Sequence, residues 1–404
     1  MSTRTESDAL GAVDLPADAL YGIQTARALD NLAFSRHALR AYPAYVRALA
    51  AVKSAAARAN RATGALAADV ADAIIAACQD VMRGAHAEHF PADLLGGGGS
   101  IAVNMNINEV LANLANERLG GVRGIYAPIR LRDVNASQST ADVCHTAARL
   151  AVRDDAHRCL SALDAAATTL ASRAGAGAAV PTLARTCLQD AMPTTVDVLL
   201  GGHASALTRR AAALRATLQT LDQIVLGATV IGTGEGASDR YRSHVVPSLA
   251  ALVGRPLTQH PQPADALQHG DDLVAVSAAL AQVAHALLKL AQDLRLLSSG
   301  PRGGFGELRL PHVQAGSSFF SGKSNPVVAE SVIQCACQVF GADRAVQAAA
   351  ERAELHLQVF DGVAAVNVLD ALGMLSAATE RLDRRCLRGL EINEARCRAL
   401  ADES

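Results

Sequence analysis

Apolar residues recur along this chain at steps of three and four, the spacing that keeps them on one face of an α-helix. From Leu273 one seam runs through Val276, Leu280, Val283, Leu287, Leu290, Leu294 and Leu297, which predicts a helix of about eight turns. A second seam joins Leu207, Ala211, Leu214, Leu218, Leu221 and Val225, and a third helix is predicted after Ser139. Shorter helices precede residue 130, for example through Leu66, Val70, Ile74, Ala77 and Val81. Beyond Ser324 another helix is predicted, with a break near Gly341, and helical segments continue from there. Alternation with a period of two is scarce, so the pattern is all-α. Stripes of this length pack antiparallel in a bundle or across a subunit interface.

Composition sharpens this picture. Half of the 404 residues are hydrophobic, yet aromatics make up 3% and tryptophan is absent, so close contacts between alanine-rich helix faces must replace large rings in the core. A formal charge of -2 generates no field that would gather nucleic acid or an anionic membrane, and any substrate charge must be met locally. The polar start lacks the apolar stretch of a leader, and no run of about 18 apolar residues follows. The expectation is a cytoplasmic protein with no membrane or nucleic-acid partner. Eight cysteines (Cys78, Cys144, Cys159, Cys187, Cys335, Cys337, Cys386 and Cys397) show no CxxC pair and no histidine at ligand spacing. Reduced thiols, no metal and no cofactor are expected.

The chemistry concentrates in residues 316–326, Gly-Ser-Ser-Phe-Phe-Ser-Gly-Lys-Ser-Asn-Pro. Five residues separate Gly316 from Gly322, where a phosphate-binding P-loop has four, and no convincing strand precedes them. Lys323 is one of three lysines, with Lys53 and Lys289, in a chain that otherwise uses arginine. Asn325-Pro326 is a helix-start signal, and a helix start with a lysine beside it can hold a carboxylate. Taken alone, Asn325 reads as a cap. Ser139 and Asp142 repeat the pattern as a capping box, serving either capping alone or an anion. Gly96 to Ser100 reads as a linker or as a mobile loop at a site.

The chain resembles the aspartase/fumarase superfamily of lyases over nearly its whole length. The resemblance is carried by Gly316-Ser317-Ser318 through Lys323-Ser324-Asn325-Pro326, Leu15 to Gly22, Asn104-Met105-Asn106 with Asn108-Glu109-Val110, and Ser137-Gln138-Ser139-Thr140. Further matches are Arg185-Thr186 with Leu188 to Ala191, Ile231 to Gly234, and Asp293 to Arg302. The segments at Leu297 to Ser299 and Pro326 to Val328 look more like the aspartate ammonia-lyase branch than the fumarase branch. The resemblance implies an N-terminal helical domain (1–133), a long central bundle (134–365) and a shortened C-terminal helical region (366–404). It also implies a homotetramer with shared active sites and a dicarboxylate or amino-dicarboxylate substrate. An amine would be eliminated from an aspartate-like substrate to give fumarate or an analogue. Ser317 would be the base, with Ser318 beside it. Lys323 and Asn325 would hold a carboxylate, and Ser139 and Thr140 would stabilise the dianionic intermediate. Asn104, Thr186 and Cys187 would complete the binding set.

The pattern departs from the family around the chemistry. Ser100-Ile101-Ala102-Val103 stands before Asn104 where the family has a threonine-rich stretch, so its hydroxyl pair is missing, and Ala141 replaces an asparagine. Cys187 stands where histidine or glutamine is usual, Phe320-Ser321 where Met-Pro is, and Ile129-Arg130-Leu131-Arg132 where HPND is. Three readings follow: a lyase with a changed substrate, Arg130 and Arg132 among the residues that would bind it; a non-catalytic scaffold or regulatory paralogue; or a working aspartate lyase or fumarase-type hydratase completed by a neighbouring subunit.

Overall fold

A computed structural model describes residues 2–402. The chain is 62% helical, with 13 helices among the described residues. The helices are α1 (Ile23–Leu32), α2 (Pro43–Thr63), α3 (Ala68–Met82), α4 (Ile101–Arg118), α5 (Leu131–Val134) and α6 (Thr140–Gly177), followed by α7 (Val196–Gln219) and α8 (Asp239–Val253). Then come α9 (Pro263–His269), α10 (Asp271–Leu297), α11 (Val327–Ala350), α12 (Asp361–Arg385) and α13 (Glu394–Asp402). Two compact units result, each discontinuous in sequence. The first takes the chain up to Asp154, Leu218–Ala275 and Ala345–Leu369; the second takes Asp155–Thr217, Val276–Arg344 and the chain from Asp370.

The α10 seam is buried from Leu273 through Leu294, and Leu297 is half-buried. All six residues of the second seam are buried as well, but α7 ends at Gln219, so Leu221 lies in a 3₁₀ turn and Val225 beyond it. The apolar stripe therefore outlasts its helix. No break occurs at Gly341: α11 runs through it, because Val339 and Val346 are buried on either side while a Cβ at Gly341 would meet nothing. An exposed glycine in a helix costs only about 1 kcal/mol against alanine, which packing overrides.

Two hairpins lie outside the helical pattern. Strands β1 (Thr3–Asp8) and β2 (Gly11–Pro16) pair antiparallel, and of their residues only Glu6 and Leu15 are buried. Strands β3 (Pro181–Thr186) and β4 (Gln189–Thr195) form the second. Two-residue pairings of Gln223–Ile224 with Thr258–Gln259, and of Leu308–Arg309 with Glu391–Ile392, complete the strands.

In the first unit α2 packs on α3 and α8, and Ala48, Ala51, Ala55 and Ala59 along it are buried. Helix α4 is buried nearly all round, and its asparagines bind the backbone of surrounding loops: Asn106 donates to His89, Asn113 to Leu20 and Asn116 to Ile129, at 2.9, 2.8 and 2.7 Å. Glu109 on the same helix accepts the amides of Gly22, Gln24 and Thr25 and so caps α1 from a distance. Burial pushes its carboxyl up to about 6 against those bonds. A Cβ at Gly22 would stand 2.9 Å from Glu109 Oε1, so this turn accepts only glycine.

Arg149, fully buried on α6, joins the first turns of two helices. It donates to Asp272 of α10 at 2.8 and 2.7 Å and to Asp361 of α12 at 2.7 and 2.6 Å. Burial works to raise Asp272, but the guanidinium outweighs it and holds the carboxyl at about 2. That contribution to stability is complete above the unfolded value near 4 and is lost as pH falls through about 2. Arg149→Met should destabilise the protein by about 3–5 kcal/mol, since it strands two carboxylates. Urea unfolding at neutral pH measures this, and a change below about 1 kcal/mol would show the network to be dispensable.

Candidate functional site

The predicted helix starts fall in separate units. In the first, Ser139 and Asp142 form one limb of the capping box at the start of α6, the Ser139 amide donating to Asp142 at 2.9 Å, while Ser139 Oγ accepts the Ala141 amide instead of that of Asp142, at 3.3 Å. Asp142 also accepts the amides of Gly227 (2.9 Å) and Thr229 (3.1 Å), which fixes that loop against the helix start. Burial drives its carboxyl up to about 6, opposed by these amides and by Lys53. Thr140 Oγ1 accepts from Asn104 Nδ2 at 3.0 Å. Both hydroxyl oxygens thus receive a proton from within the fold, leaving each O–H able to donate elsewhere. Ala141 is packed with Val225, Ala228 and Leu267, so the position where the family has asparagine feeds the apolar core.

Beneath this start lies a buried polar junction that the sequence did not reveal. Lys53 on α2 has no exposed surface, and its Nζ donates to Asn135 Oδ1 at 2.8 Å. Asn104 and Asn108 on α4 each donate to the same oxygen at 3.2 Å. Burial lowers Lys53 to about 8, opposed by Cys144, Asp142 and Cys78. A lysine inside the run Ala-Ala-Val-Lys-Ser-Ala-Ala-Ala was the available signal. Arg130, by contrast, is engaged with Asp133, both guanidinium contacts at 3.1 Å, so an anion there would have to displace a carboxylate. The Gly96 to Ser100 run is a turn leading into α4.

In the second unit, residues 316–326 form a closed loop. The Gly316 amide donates to the Lys323 carbonyl at 3.0 Å, and Asn325 Nδ2 donates to the Gly316 carbonyl at 2.9 Å. A Cβ at Gly316 would lie 2.7 Å from the Asn325 nitrogen, so the two strands of the loop meet only because this residue is glycine. The cap expected of Asn325 is therefore corrected: α11 begins at Val327, and the carboxamide turns back to tie the loop base. Ser317 Oγ accepts the amides of Phe319 (3.1 Å) and Phe320 (2.8 Å). Ser318 and Lys323 are exposed, as are Phe319 (84%) and Phe320 (61%), whose rings meet edge to face.

Thr186 and Cys187 are exposed at the tip of the β3–β4 hairpin. Its turn places Cys187 and Leu188 at φ of 52° and 60°, a conformation that Asn-Gly usually supplies. A cleft of about 760 Å³ under the hairpin is lined by Arg185, Cys187, Leu188, His203 and Asp293 among others. His203 pairs with Asp293 at 2.9 Å, while in the first unit His145 contacts the Ala266 carbonyl at 3.2 Å and burial lowers it to about 4. Among the described residues one trio, His86, Glu88 and His89, brings ligand atoms within 4.8 Å of one another. His89 Nδ1 accepts the Leu20 amide at 3.2 Å, which puts the proton of the neutral ring on Nε2, 3.1 Å from Glu88. That tautomer turns no lone pair into the trio, and no metal is assigned there.

Fold and matches together define a lyase. A family model described as "Lyase" matches residues 11–341. The chain is 40% identical over 405 residues to an aspartate ammonia-lyase of Pseudomonas canavaninivorans, covering 100% of this chain and 85% of that one. It is 39% identical over 407 residues to a class II fumarate hydratase of Thermosynechococcus vestitus, covering 100% and 86%. A crystal structure of a fumarate lyase:delta crystallin from Brucella melitensis, bound to cobalt, has a TM-score of 0.98 at 42% identity, over 100% of this chain and 88% of that one. The chain belongs to the aspartase/fumarase superfamily.

The loop geometry makes a direct prediction. Asn325→Ala removes a hydrogen bond of about 1 kcal/mol, so amide exchange at Gly316 and Lys323 should accelerate about fivefold. Unchanged exchange rates would show that Asn325 does not hold the loop base.

Proposed function

We propose that this protein eliminates an amine from an aspartate-like, succinyl substrate to give fumarate or an analogue, with Ser317 as the base. The observation that carries the proposal is the pair of backbone N–H groups on Ser317 Oγ. A serine hydroxyl is a poor base at neutral pH; two amides fixed on its oxygen stabilise the alkoxide it must become. Ser317 removes a proton from the carbon beside a carboxylate, and the electron pair moves into that carboxylate as a dianion. The pair then returns to form the double bond as the C–N bond breaks and the amine leaves. Lys323 supplies the charge that holds the other carboxylate, and Asn325 retains one amide N–H beyond the one spent on Gly316. Ser139 and Thr140 donate to the dianion, Asn104 orients Thr140, and Thr186 and Cys187 border the leaving group, with Ser318 next to the base.

Shared sites in a homotetramer fit the exposure of the 316–326 loop and of the hairpin tip. The apolarity of α10 agrees: Val274, Ala278, Ala281 and Leu288 are only half-buried within one copy, which leaves apolar surface for others. Eight free thiols suit a reducing, cytoplasmic setting. A hydratase acting on malate is the second reading, favoured by the near-equal identities to the ammonia-lyase and the fumarate hydratase, 40% and 39%.

The test incubates the protein with L-aspartate, N-substituted aspartates and malate while following absorbance of the conjugated product. Amine release from an aspartate is the expected result; turnover of malate alone selects the hydratase, and silence with all of them supports a non-catalytic role. In an active protein Ser317→Ala should lower kcat about 10²–10⁴-fold, and full retention of activity would remove Ser317 as the base.

A further inference from the structure

We infer that Lys53 is a positioning residue that sets the hydrogen-bond polarity of the dianion-binding hydroxyl, acting through Asn135 and Asn104 on Thr140; the inference rests on the lyase reading above. An ammonium carries donors and no acceptor. Lys53 is fully buried, and among the described residues its Nζ is joined by no salt bridge; its contact is the amide oxygen of Asn135 at 2.8 Å. Attraction from Asp142 and the thiols of Cys144 and Cys78 offsets burial only in part, so a buried lysine whose hydrogen-bond partner is a neutral amide is expensive as a purely structural device, where an apolar residue of the same length would fill the space without that penalty.

What the cation imposes is direction. Together with the Gln138 carbonyl, which accepts Asn135 Nδ2 at 3.1 Å, it holds the Asn135 oxygen toward the junction, so the neighbours of that oxygen must present N–H groups. Asn104 and Asn108 do so at 3.2 Å, and each leaves its own Oδ1 buried without a hydrogen-bond partner. Because both amides spend an N–H on Asn135, their orientation is tied to that oxygen. With its NH₂ committed in this direction, Asn104 gives its second N–H to Thr140 Oγ1 at 3.0 Å. The threonine oxygen is thereby an acceptor from within, and its proton points away to be donated. Were Asn104 reversed, its oxygen would take that proton, and the hydroxyl would turn lone pairs toward an incoming anion.

The experiment is a double-mutant cycle between Lys53→Met, which keeps length and removes the donors, and Thr140→Val, which keeps shape and removes the hydroxyl. Circular dichroism and thermal midpoints establish folding, and kcat and KM are read on whichever dicarboxylate the wild type eliminates. Thr140→Val alone should lower kcat about 10²-fold, as loss of one anion-stabilising donor does. Lys53→Met should lower kcat to a similar degree, with Thr140→Val then adding less than about threefold. A merely structural lysine would shift the midpoint while the two effects multiplied, and that additivity would overturn the inference. If Lys53→Met fails to fold, Asn104→Leu cuts the same relay with Lys53 still on Asn135, and the same non-additivity with Thr140→Val is expected; additive losses overturn it equally. A wild type that eliminates nothing overturns the lyase reading and the inference with it, whereas an active wild type with an additive cycle overturns the inference alone.

Discussion

A helix start leaves backbone N–H groups without partners, and in this chain several buried starts are closed by ionised side chains. Glu109 closes α1 across more than eighty residues of sequence. Asp142 closes α6 and gathers Gly227 and Thr229 to the same point, and Arg149 binds the first turns of α10 and α12 through Asp272 and Asp361. Alanine-rich faces bring helix axes close, which excludes water and makes each unpaired polar group costly. Buried charge is thus the means by which these ends are joined.

The same constraint shapes the chemistry. At the start of α6, hydroxyls that accept from within the fold are turned to donate outward. In the 316–326 loop, backbone amides converge on a serine oxygen. One arrangement is suited to developing negative charge on a bound group, the other to negative charge on the Ser317 oxygen itself, as the proposed elimination requires. Each relies on donors already in place, so no solvent must reorganise as the charge appears. The family departures gain a physical meaning as well: Ala141 belongs to an apolar cluster, and Arg130 is held by Asp133.

Long-range helical order was legible because burial repeats with the helical period. The α10 seam lies on one buried face, and Asp142 accepts the Ser139 amide as their spacing implies, although Ser139 Oγ takes the Ala141 amide and not that of Asp142. Local signals failed where a distant contact competed with them. Gly341 is carried through α11 by packed neighbours, and Asn325 binds Gly316 instead of capping. The β1–β2 hairpin carries no period-two apolar signal because so few of its side chains are buried.

By itself the sequence determined the helical class, the seams and the residues from which the superfamily is read, since each depends on spacing along the chain or on short ordered motifs. Only the tertiary structure decided which way hydrogen bonds run: that Lys53 points at Asn135, that Asn104 gives its N–H to Thr140, and that Glu109 reaches Gly22. The reason is geometric. Residue identity states which groups can donate or accept, but the direction of each bond is set by partners far apart in sequence that meet only when the helices pack.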